Sequence, residues 1–315
     1  MRKLVLNGPE RLTLADVQTP EISEHELLIQ VKACSISRFD LEWYTGLRAM
    51  DGSDSFNLGQ DVAGVVQRRG KSVTGFSIGD RVLAWDISSG FSEYVVAKPE
   101  QVVTFADSMS FEEGSLAHLL PPILYGMEQW QAQHGVAFVS GAGATGLLSV
   151  QMARLCGVST LFVADPNPFR LRRALDMGAN YGINSATEDV ARRLIDETDS
   201  RGVNLSIECA GDESSFRTCE SALAASGTLV VLGTALTPIT VNLADWQARY
   251  LRLILGTVPP TDRHDLYIRS LELVTFGAVA LRPLLTHVFP LRRAAEAFQL
   301  LLNDPNRAIK ITLAP

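Results

Sequence analysis

The sequence predicts an α/β protein with two domains, an antiparallel β domain and a doubly wound parallel sheet. Short apolar segments separated by glycine-rich turns fill roughly the first 120 residues, a pattern typical of antiparallel strands. Further along, apolar strands of four to six residues alternate with helical segments, which indicates a parallel sheet covered by helices on both faces. A chain of 315 residues is long enough for about two domains.

The antiparallel domain is expected to contain strands at residues 27–33, 62–66, 81–85 and 94–97. The parallel sheet is expected to contain strands at residues 136–140, 160–164, 204–208, 228–232 and 251–255, and helices at 146–156 and 169–177. An extended piece at 285–289 and a final strand at 309–313 are expected to return to the first domain. The predicted domain limits are residues 1–121 together with 259–315, and residues 122–258.

Composition excludes several classes of protein. Charged residues make up 20% of the chain and apolar residues 46%, proportions that exclude disordered, collagen-like and coiled-coil proteins. A formal net charge of −7 argues against nucleic acid or an anionic membrane as a partner, because both require a basic face. No apolar run is long enough to span a membrane, and the start of the chain lacks a signal-peptide pattern. The four cysteines lack zinc-type spacing, so we expect free thiols and a cytoplasmic location.

A glycine-rich motif, Gly-Ala-Gly-Ala-Thr-Gly, lies between a predicted strand and a predicted helix. In this context Gly141 permits a tight turn, Gly143 lets the backbone approach a pyrophosphate, and Gly146 lets helix and strand pack closely. The N-terminus of the helix, which Ala144 and Thr145 directly precede, offers N–H groups and a positive dipole to the phosphates. The motif therefore predicts a dinucleotide-binding site.

Asp165 lies at the end of the second strand of this unit, 19 residues after Gly146. A carboxylate at this position can accept hydrogen bonds from ribose hydroxyls and repels a 2′-phosphate. Arg170 could weaken this preference by approaching the ribose edge. NAD(H) is therefore favoured as the cofactor, and NADP(H) remains possible. The alternative interpretation is that the glycines only form a turn and that Asp165 caps a helix.

Nearly the whole chain resembles the medium-chain dehydrogenase/reductase superfamily. The matching segments, in the family's order and spacing, are residues 79–82, 92–95, 141–146, 208–211 and 284–291. The resemblance implies a GroES-like β domain, an inserted Rossmann domain and a small-molecule substrate. It also implies a homodimer or tetramer paired through the last Rossmann strand, near residues 251–256. Further cofactor contacts are implied at Gly211, Gly233 and Lys310.

The chain departs from zinc-dependent members of that family at the metal ligands. Ser37 stands where the first ligand is a cysteine, and Gln60 stands where the second is a histidine. The third position falls near His118, and the four-cysteine lobe that binds structural zinc is missing. No zinc is expected, because zinc prefers thiolate, imidazole and carboxylate ligands. Residues 59–66 resemble the zinc-free quinone oxidoreductases, whereas the Rossmann half resembles the polyol dehydrogenases.

Two reactions are open to such a site without a metal. One is reduction of a C=C bond conjugated to a carbonyl, which is slightly favoured, and the other is alcohol/ketone exchange with a side-chain acid or base. The candidate catalytic residues are Ser37, Asp40, Tyr44, Gln60 and His118. Tyr44 and His118 are the best proton donors among them, although a structural role is also open for each. An eliminase or epimerase with tightly bound NAD, and a structural protein without activity, remain as alternatives.

Overall fold

The computed structural model of the protein describes residues 1–48, 57–130, 135–304 and 306–315. The chain divides into two compact units, residues 1–118 with 267–315 and residues 119–266. The second division lies later than the predicted limit at 258, inside a continuous helix, Arg263–Thr275. Within the described ranges, no helix has both the length and the apolar character needed to cross a membrane.

The described part of residues 1–118 contains seven strands and two α-helices. The strands are β1 (Arg2–Leu6), β2 (Leu12–Asp16), β3 (Leu27–Ser35), β4 (Val62–Arg69), β5 (Arg81–Ala84), β6 (Tyr94–Ala97) and β7 (Val102–Thr104). The helices are α1 (Arg38–Tyr44) and α2 (Phe111–Leu116), with short 3-10 helices at Pro99–Gln101 and Ala117–Leu119.

The second unit alternates helices with strands. Its helices are α3 (Leu120–Gln129), α4 (Ala144–Leu155), α5 (Pro168–Asp176), α6 (Val190–Glu197), α7 (Glu213–Ala222) and α8 (Leu243–Ala248). Its strands are β8 (Val136–Ser140), β9 (Thr160–Asp165), β10 (Tyr181–Asn184), β11 (Val203–Glu208), β12 (Leu223–Val231) and β13 (Arg252–Leu255). The helix that leads out of this unit is α9 (Arg263–Thr275).

The chain then returns to the first unit. This return consists of β14 (Leu285–Pro290), α10 (Ala294–Asn303) and β15 (Lys310–Ala314), with 3-10 turns at Arg282–Leu284 and Leu291–Arg293. The main sheet has the order β14-β15-β3-β4-β5-β7, β6 also pairs with β3, and β1 and β2 form a separate hairpin. Every pair except β14–β15 is antiparallel. The predicted return of the last strand is confirmed, since β15 pairs directly with β3.

The sheet of the second unit is parallel throughout, with the order β10-β9-β8-β11-β12-β13. From the neighbouring strands β8 and β11 the strand order proceeds in opposite directions, and in sheets of this kind ligands bind at the carboxyl ends of such a pair. Apolar side chains such as Phe138, Phe162 and Leu194 form a core of this unit. The α/β fold class predicted from the sequence is confirmed.

Candidate active site

The glycine-rich loop connects β8 to α4 at the carboxyl edge of the parallel sheet. Gly141, directly after β8, has φ +95°, which glycine adopts without strain. Gly146 lies in the first turn of α4, where a Cβ atom would overlap the carbonyl oxygen of Gly141. Helix and strand therefore approach each other so closely that only glycine fits at position 146.

Gly143 lies between these two glycines and faces open space. A Cβ atom on Gly143 would meet no described atom within 4 Å. Gly143 is the N-cap residue of α4, and no described side chain caps this twelve-residue helix. The N–H groups of the first turn, which begins with Ala144 and Thr145, are therefore available to the oxygens of a phosphate.

Asp165 ends β9 and is buried beside the glycine-rich loop. One carboxylate oxygen accepts the N–H of Ala142 at 2.8 Å, and the other accepts the N–H of Asn167 at 2.8 Å. Asn167 is the residue that caps α5, through the N–H of Phe169. The interpretation of Asp165 as a helix cap is therefore wrong. Its carboxylate fixes the loop, and its remaining lone pairs can accept from a ribose hydroxyl.

Arg170 is the third residue of α5, the helix that follows Asp165. Its Nε atom is buried and has no hydrogen-bond partner among the described residues. The nearby Arg173 guanidinium instead lies over the ring of Phe169, 5.5 Å from its centroid. Arg170 therefore retains an N–H group that could donate a hydrogen bond to a phosphate oxygen.

A second loop at this edge is held by Glu208, the last residue of β11, which is 2% exposed. Its Oε1 atom accepts the N–H groups of Ala210 at 2.7 Å and Gly211 at 2.8 Å, and lies 2.8 Å from Ser215 Oγ. A Cβ atom on Gly233 would overlap the backbone of Gly211. The sequence predicts Gly211 and Gly233 at the cofactor but not Glu208, although an acidic residue that ends an apolar strand is a recognisable signal.

The two loops touch, and together they fit a dinucleotide. A Cβ atom on Gly141 would lie 3.3 Å from the backbone nitrogen of Ala210. Backbone N–H groups face open space at the α4 N-terminus, and a carboxylate lies at the end of the adjacent strand. These are the groups that bind a pyrophosphate and a ribose in a parallel α/β sheet. The residues that would hold the cofactor are Gly141, Gly143, Ala144, Thr145, Gly146 and Asp165.

In the first unit, buried or half-buried polar side chains from several elements gather near the start of α1. We name this set the polar cluster, and its members are Ser37, Asp40, Asp61, His118 and Lys310. Ser37 precedes α1, Asp61 precedes β4, His118 follows α2 and Lys310 begins β15. Gln60, the residue before Asp61, is half-buried, and its carbonyl accepts the N–H of Ile87 at 2.9 Å.

Ser37 and Asp40 bond to each other at the start of α1. Ser37 Oγ donates to Asp40 Oδ2 at 2.6 Å, and the N–H of Ser37 donates to the same oxygen at 2.8 Å. Asp40 Oδ1 accepts the N–H of Gly59 at 2.8 Å. Asp40 is fully buried, and this burial raises its pKa. Both side chains thus hold the backbone of α1 and of the Gly59 turn, a structural role that uses most of their hydrogen-bonding capacity.

His118 is a neutral imidazole with a defined tautomer. Its Nδ1 atom lies 2.9 Å from the carbonyl oxygen of Ser115 and 3.7 Å from Asp61 Oδ2. A carbonyl can only accept, so the proton resides on Nδ1, and Nε2 carries the lone pair. Burial is the main cause that lowers the pKa of His118 to about 3, with the positive charge of Lys310 second. His118 is therefore an acceptor at neutral pH.

Tyr44, the last residue of α1, is packed into an apolar environment. It is 1% exposed, its ring packs on Phe298 at 4.7 Å between centroids, and its hydroxyl accepts from Gln299 Nε2 at 3.1 Å. These contacts place Tyr44 in the apolar core of the first unit. Its predicted role as proton donor is not supported by this position, because the phenol is enclosed by core side chains.

Lys310, which the resemblance implies at the cofactor, lies in the polar cluster. It belongs to the first unit, is 6% exposed, and its Nζ atom donates to the carbonyl oxygen of Ile36 at 2.7 Å. Its contact with the cofactor stays a prediction.

The side chains at the three positions that bind zinc in other family members do not fit a zinc ion here. The Ser37 hydroxyl is bonded to Asp40, Gln60 offers an amide, and only His118 supplies a zinc-type ligand. The thiol of Cys34 is buried, which raises its pKa well above the usual value and disfavours a thiolate. Across the described ranges, no three His, Cys, Asp or Glu side chains are grouped so as to hold a metal ion.

Comparisons with known proteins agree with this architecture. Residues 23–119 match the family described as "Alcohol dehydrogenase GroES-like domain", and residues 144–272 match the family described as "Zinc-binding dehydrogenase". Sorbitol dehydrogenase of Bacillus subtilis (strain 168) is 25% identical and covers 100% of this chain and 97% of its own. An alcohol dehydrogenase of Cupriavidus necator is 26% identical, covering 100% and 99%.

Solved structures show the same fold. The crystal structure of 2R,3R-butanediol dehydrogenase from Bacillus subtilis matches with a TM-score of 0.88 at 21% identity, covering 100% of this chain and 99% of that one. The two family matches fall in chain order, one on the antiparallel sheet and the other on the parallel sheet from α4 onward. The chain is therefore an oxidoreductase of the medium-chain dehydrogenase/reductase superfamily, with a GroES-like domain and an NAD(P)-binding Rossmann domain.

Proposed function

We propose that this chain is a zinc-independent oxidoreductase that prefers NAD(H) and transfers a hydride to or from a small organic substrate. The observation that carries the proposal is the donor set at the family's metal positions. Ser37, Gln60 and His118 offer a hydroxyl, an amide and a single imidazole, whereas the cofactor-binding loops of the second unit keep every feature that a dinucleotide needs.

The preference for NAD(H) follows from Asp165. A 2′-phosphate at the ribose edge would meet a buried carboxylate whose two oxygens are fixed by Ala142 and Asn167. The carboxylate cannot turn away without breaking these hydrogen bonds. Arg170 acts in the opposite direction, since its buried Nε is a donor for a phosphate. The carboxylate dominates because it lies at the strand end itself.

Reduction of a C=C bond conjugated to a carbonyl, as in an enone or a quinone, is the first candidate reaction. When bound, the nicotinamide supplies the hydride that adds to the β-carbon, and the electron pair of the C=C bond moves toward the carbonyl oxygen. The resulting enolate spreads its charge over carbon and oxygen, so this reaction does not require a Lewis acid. A proton then adds to the α-carbon and restores the carbonyl.

Alcohol/ketone exchange is the second candidate, and the names of the polyol and alcohol dehydrogenase relatives favour it. Here His118 would accept the hydroxyl hydrogen of an alcohol at Nε2, because its Nδ1 proton is held by the Ser115 carbonyl. With its pKa lowered to about 3, His118 is a weak base, so it would orient the hydroxyl better than it would remove the proton.

The test is a comparison of substrate classes in the presence of a chelator. NADH oxidation would be measured with enones and quinones, and with ketones and aldehydes, while bound metal is measured on the same protein. We expect NADH to be consumed in an amount equal to the product formed, and we expect the activity to be unchanged when the chelator is present. Stoichiometric zinc with activity lost on chelation would contradict zinc independence. Conversion of substrate without net change in NADH would instead indicate an eliminase or epimerase.

We also propose that two copies of the chain pair through β13. This strand lies at the edge of the parallel sheet and pairs only with β12 among the described strands. Leu253 and Leu255 on it are 45% and 57% exposed, which is unusual for apolar side chains on an unpaired edge. We expect a dimer in sedimentation equilibrium and a monomer for Leu255→Lys. An unchanged dimer in the variant would place the interface elsewhere.

A further inference from the structure

Glu208 is a buried carboxylate of the second unit whose partners among the described residues are all uncharged. Its Oε1 atom accepts the N–H groups of Ala210 and Gly211 and lies 2.8 Å from Ser215 Oγ. Within the described ranges no basic side chain forms an ion pair with it, although the residue is 2% exposed. Buried charges in proteins are usually paired with a charge of the other sign or with a metal. The charge of Glu208 therefore requires an explanation.

The negative charge of Glu208 acts on the groups around it. Burial is the main cause that raises the pKa of the Cys209 thiol, and the charge of Glu208 is the second. The same two causes, in the same order, raise the pKa of the Cys219 thiol on α7. A buried charge is screened by salt much less than an exposed one. Its field therefore extends to whatever lies beside this edge of the sheet.

Both oxygens of Glu208 lie next to the loops that follow β11 and β12. Oε1 is bonded to the N–H of Ala210, and a Cβ atom on Gly233 would overlap Oε2. Ala210 and Gly233 are both half-buried, so a single residue separates the carboxylate from the surface of the unit. A charge at this depth need not touch a ligand to act on it, because a Coulomb interaction falls only with the first power of distance.

Glu208 and Asp165 end strands in opposite halves of the parallel sheet. From β8 the order proceeds through β9, which Asp165 ends, to β10, whereas on the other side it proceeds from β11 to β12 and β13. In a sheet of this kind a dinucleotide lies across the two halves, with one mononucleotide on each. Because the carboxylate of Asp165 fits the ribose of the adenosine half, Glu208 lies on the half that receives the nicotinamide mononucleotide.

We propose that the fixed charge of Glu208 makes this site favour the oxidised cofactor, NAD⁺, over NADH. The two forms share the adenosine half and differ in the nicotinamide ring, which carries a positive charge only in NAD⁺. A negative charge held in place beside that half attracts the charged ring and has no such effect on the neutral one. The inference rests on the NAD(H) site of the proposed function, and it holds for either candidate reaction.

This preference gives the chemistry a direction. In substrate reduction a hydride, which is a proton with two electrons, leaves a ring C–H bond and forms a new C–H bond on the substrate, and the ring becomes positive. Glu208 stabilises that positive charge, so the bound cofactor is a stronger hydride donor. A tenfold preference for NAD⁺ corresponds to a reduction potential lower by about 30 mV for this two-electron couple. The site therefore favours reduction of the substrate over its oxidation.

Three substitutions separate the charge of Glu208 from its hydrogen bonds. Glu208→Gln keeps an acceptor oxygen and removes the charge, so we expect the dissociation constant of NAD⁺ to rise about tenfold more than that of NADH. Tenfold is about 1.4 kcal/mol, the interaction of two unit charges about 12 Å apart at an effective dielectric constant of about 20. Glu208→Asp keeps the charge and should leave the ratio of the two constants unchanged. Asp165→Asn, the matched buried carboxylate of the other half, should weaken both forms alike.

Calorimetry measures these constants without turnover. The probes are NAD⁺, NADH and ADP-ribose, which lacks the nicotinamide ring. In Glu208→Gln the affinity for ADP-ribose should fall no more than the affinity for NADH, because neither ligand carries the positive charge. Amide hydrogen exchange at Ala210 and Gly211 shows in parallel whether the loop keeps its place in each variant.

Two results would overturn the proposal and leave the cofactor site standing. The first is a Glu208→Gln variant that binds NAD⁺, NADH and ADP-ribose more weakly by one common factor, which would leave Glu208 as a holder of the loop alone. The second is a Glu208→Asp variant that keeps the charge and yet shifts the ratio of NAD⁺ to NADH affinity as far as Glu208→Gln does. Absence of NADH binding in the unmodified protein would refute the NAD(H) site itself, and this proposal with it.

Discussion

Replacing Glu208 is expected to destabilise the loop at Ala210 and Gly211, which lies beside the cofactor site. In Glu208→Ala the N–H groups of Ala210 and Gly211 lose their acceptor, whereas the hydroxyl of Ser215 keeps Ser140 Oγ at 2.8 Å as a partner. A buried donor left unpaired costs about 1–3 kcal/mol of unfolding free energy, which applies to the buried N–H of Gly211, and the half-buried Ala210 adds less than that. Glu208→Gln keeps one acceptor oxygen and loses only the charge, so we expect a smaller effect of about 1 kcal/mol.

Two assays measure the effect of replacing Glu208, one at the loop that it holds and the other at the cofactor site. Amide hydrogen exchange should show lost protection at Ala210 and Gly211 in Glu208→Ala, and intermediate protection in Glu208→Gln. NADH affinity should fall at least tenfold in the alanine variant, because the loop that Glu208 holds contacts the glycine-rich loop at Gly141. Unchanged protection together with unchanged affinity would show that the carboxylate does not organise this edge of the sheet.

Three further outcomes are expected. Asp165→Ser should narrow the difference between NADH and NADPH affinity, and calorimetry that finds tighter NADPH binding before any substitution would show that Arg170 governs the ribose site. Gly146→Ala should abolish NADH binding, measured by fluorescence, because its Cβ overlaps the Gly141 carbonyl; binding within a few-fold of normal would contradict this. The unfolded state protonates His118 below about pH 6.5 while the folded state does not, so lowering the pH from 7 to 4.5 should cost about 2–3 kcal/mol more in the unmodified protein than in His118→Asn. Equal losses in chemical denaturation of the two proteins would show that His118 is not buried as a neutral group.

Most strands of the fold are readable from the sequence because they are buried and apolar. Strands β8 and β9 begin at their predicted residues and end within a residue of the predicted limits, since both are central in the sheet and consist of apolar residues. The edge strand Tyr181–Asn184 was not predicted, because only Ile183 of its four residues is buried and no periodicity marks it. Local sequence carries little information about a strand whose pairing partner supplies its stability.

The cofactor loop and the polar cluster also differ in how well the sequence predicts them. The cofactor loop is predictable because its glycines act through backbone geometry within six consecutive residues. Local sequence patterns do not predict the polar cluster, because Ser37, Asp61, His118 and Lys310 come from distant segments, and the family resemblance alone named Ser37, Asp40 and His118 as candidates for one site. Tyr44 illustrates the limit, since its position in sequence near Ser37 says nothing of the core contact with Phe298 that encloses its ring.

The position of β15 has a consequence for how the protein assembles during synthesis. The sheet of the first unit needs β15 between β14 and β3, yet β3 is translated more than 270 residues before it. The second unit is one continuous stretch and can complete its own sheet earlier. We therefore infer that the second unit can complete its sheet while Cys34 and Ser35 of β3 still lack the partner that β15 supplies, so these two positions stay open to wrong pairing until β15 is made.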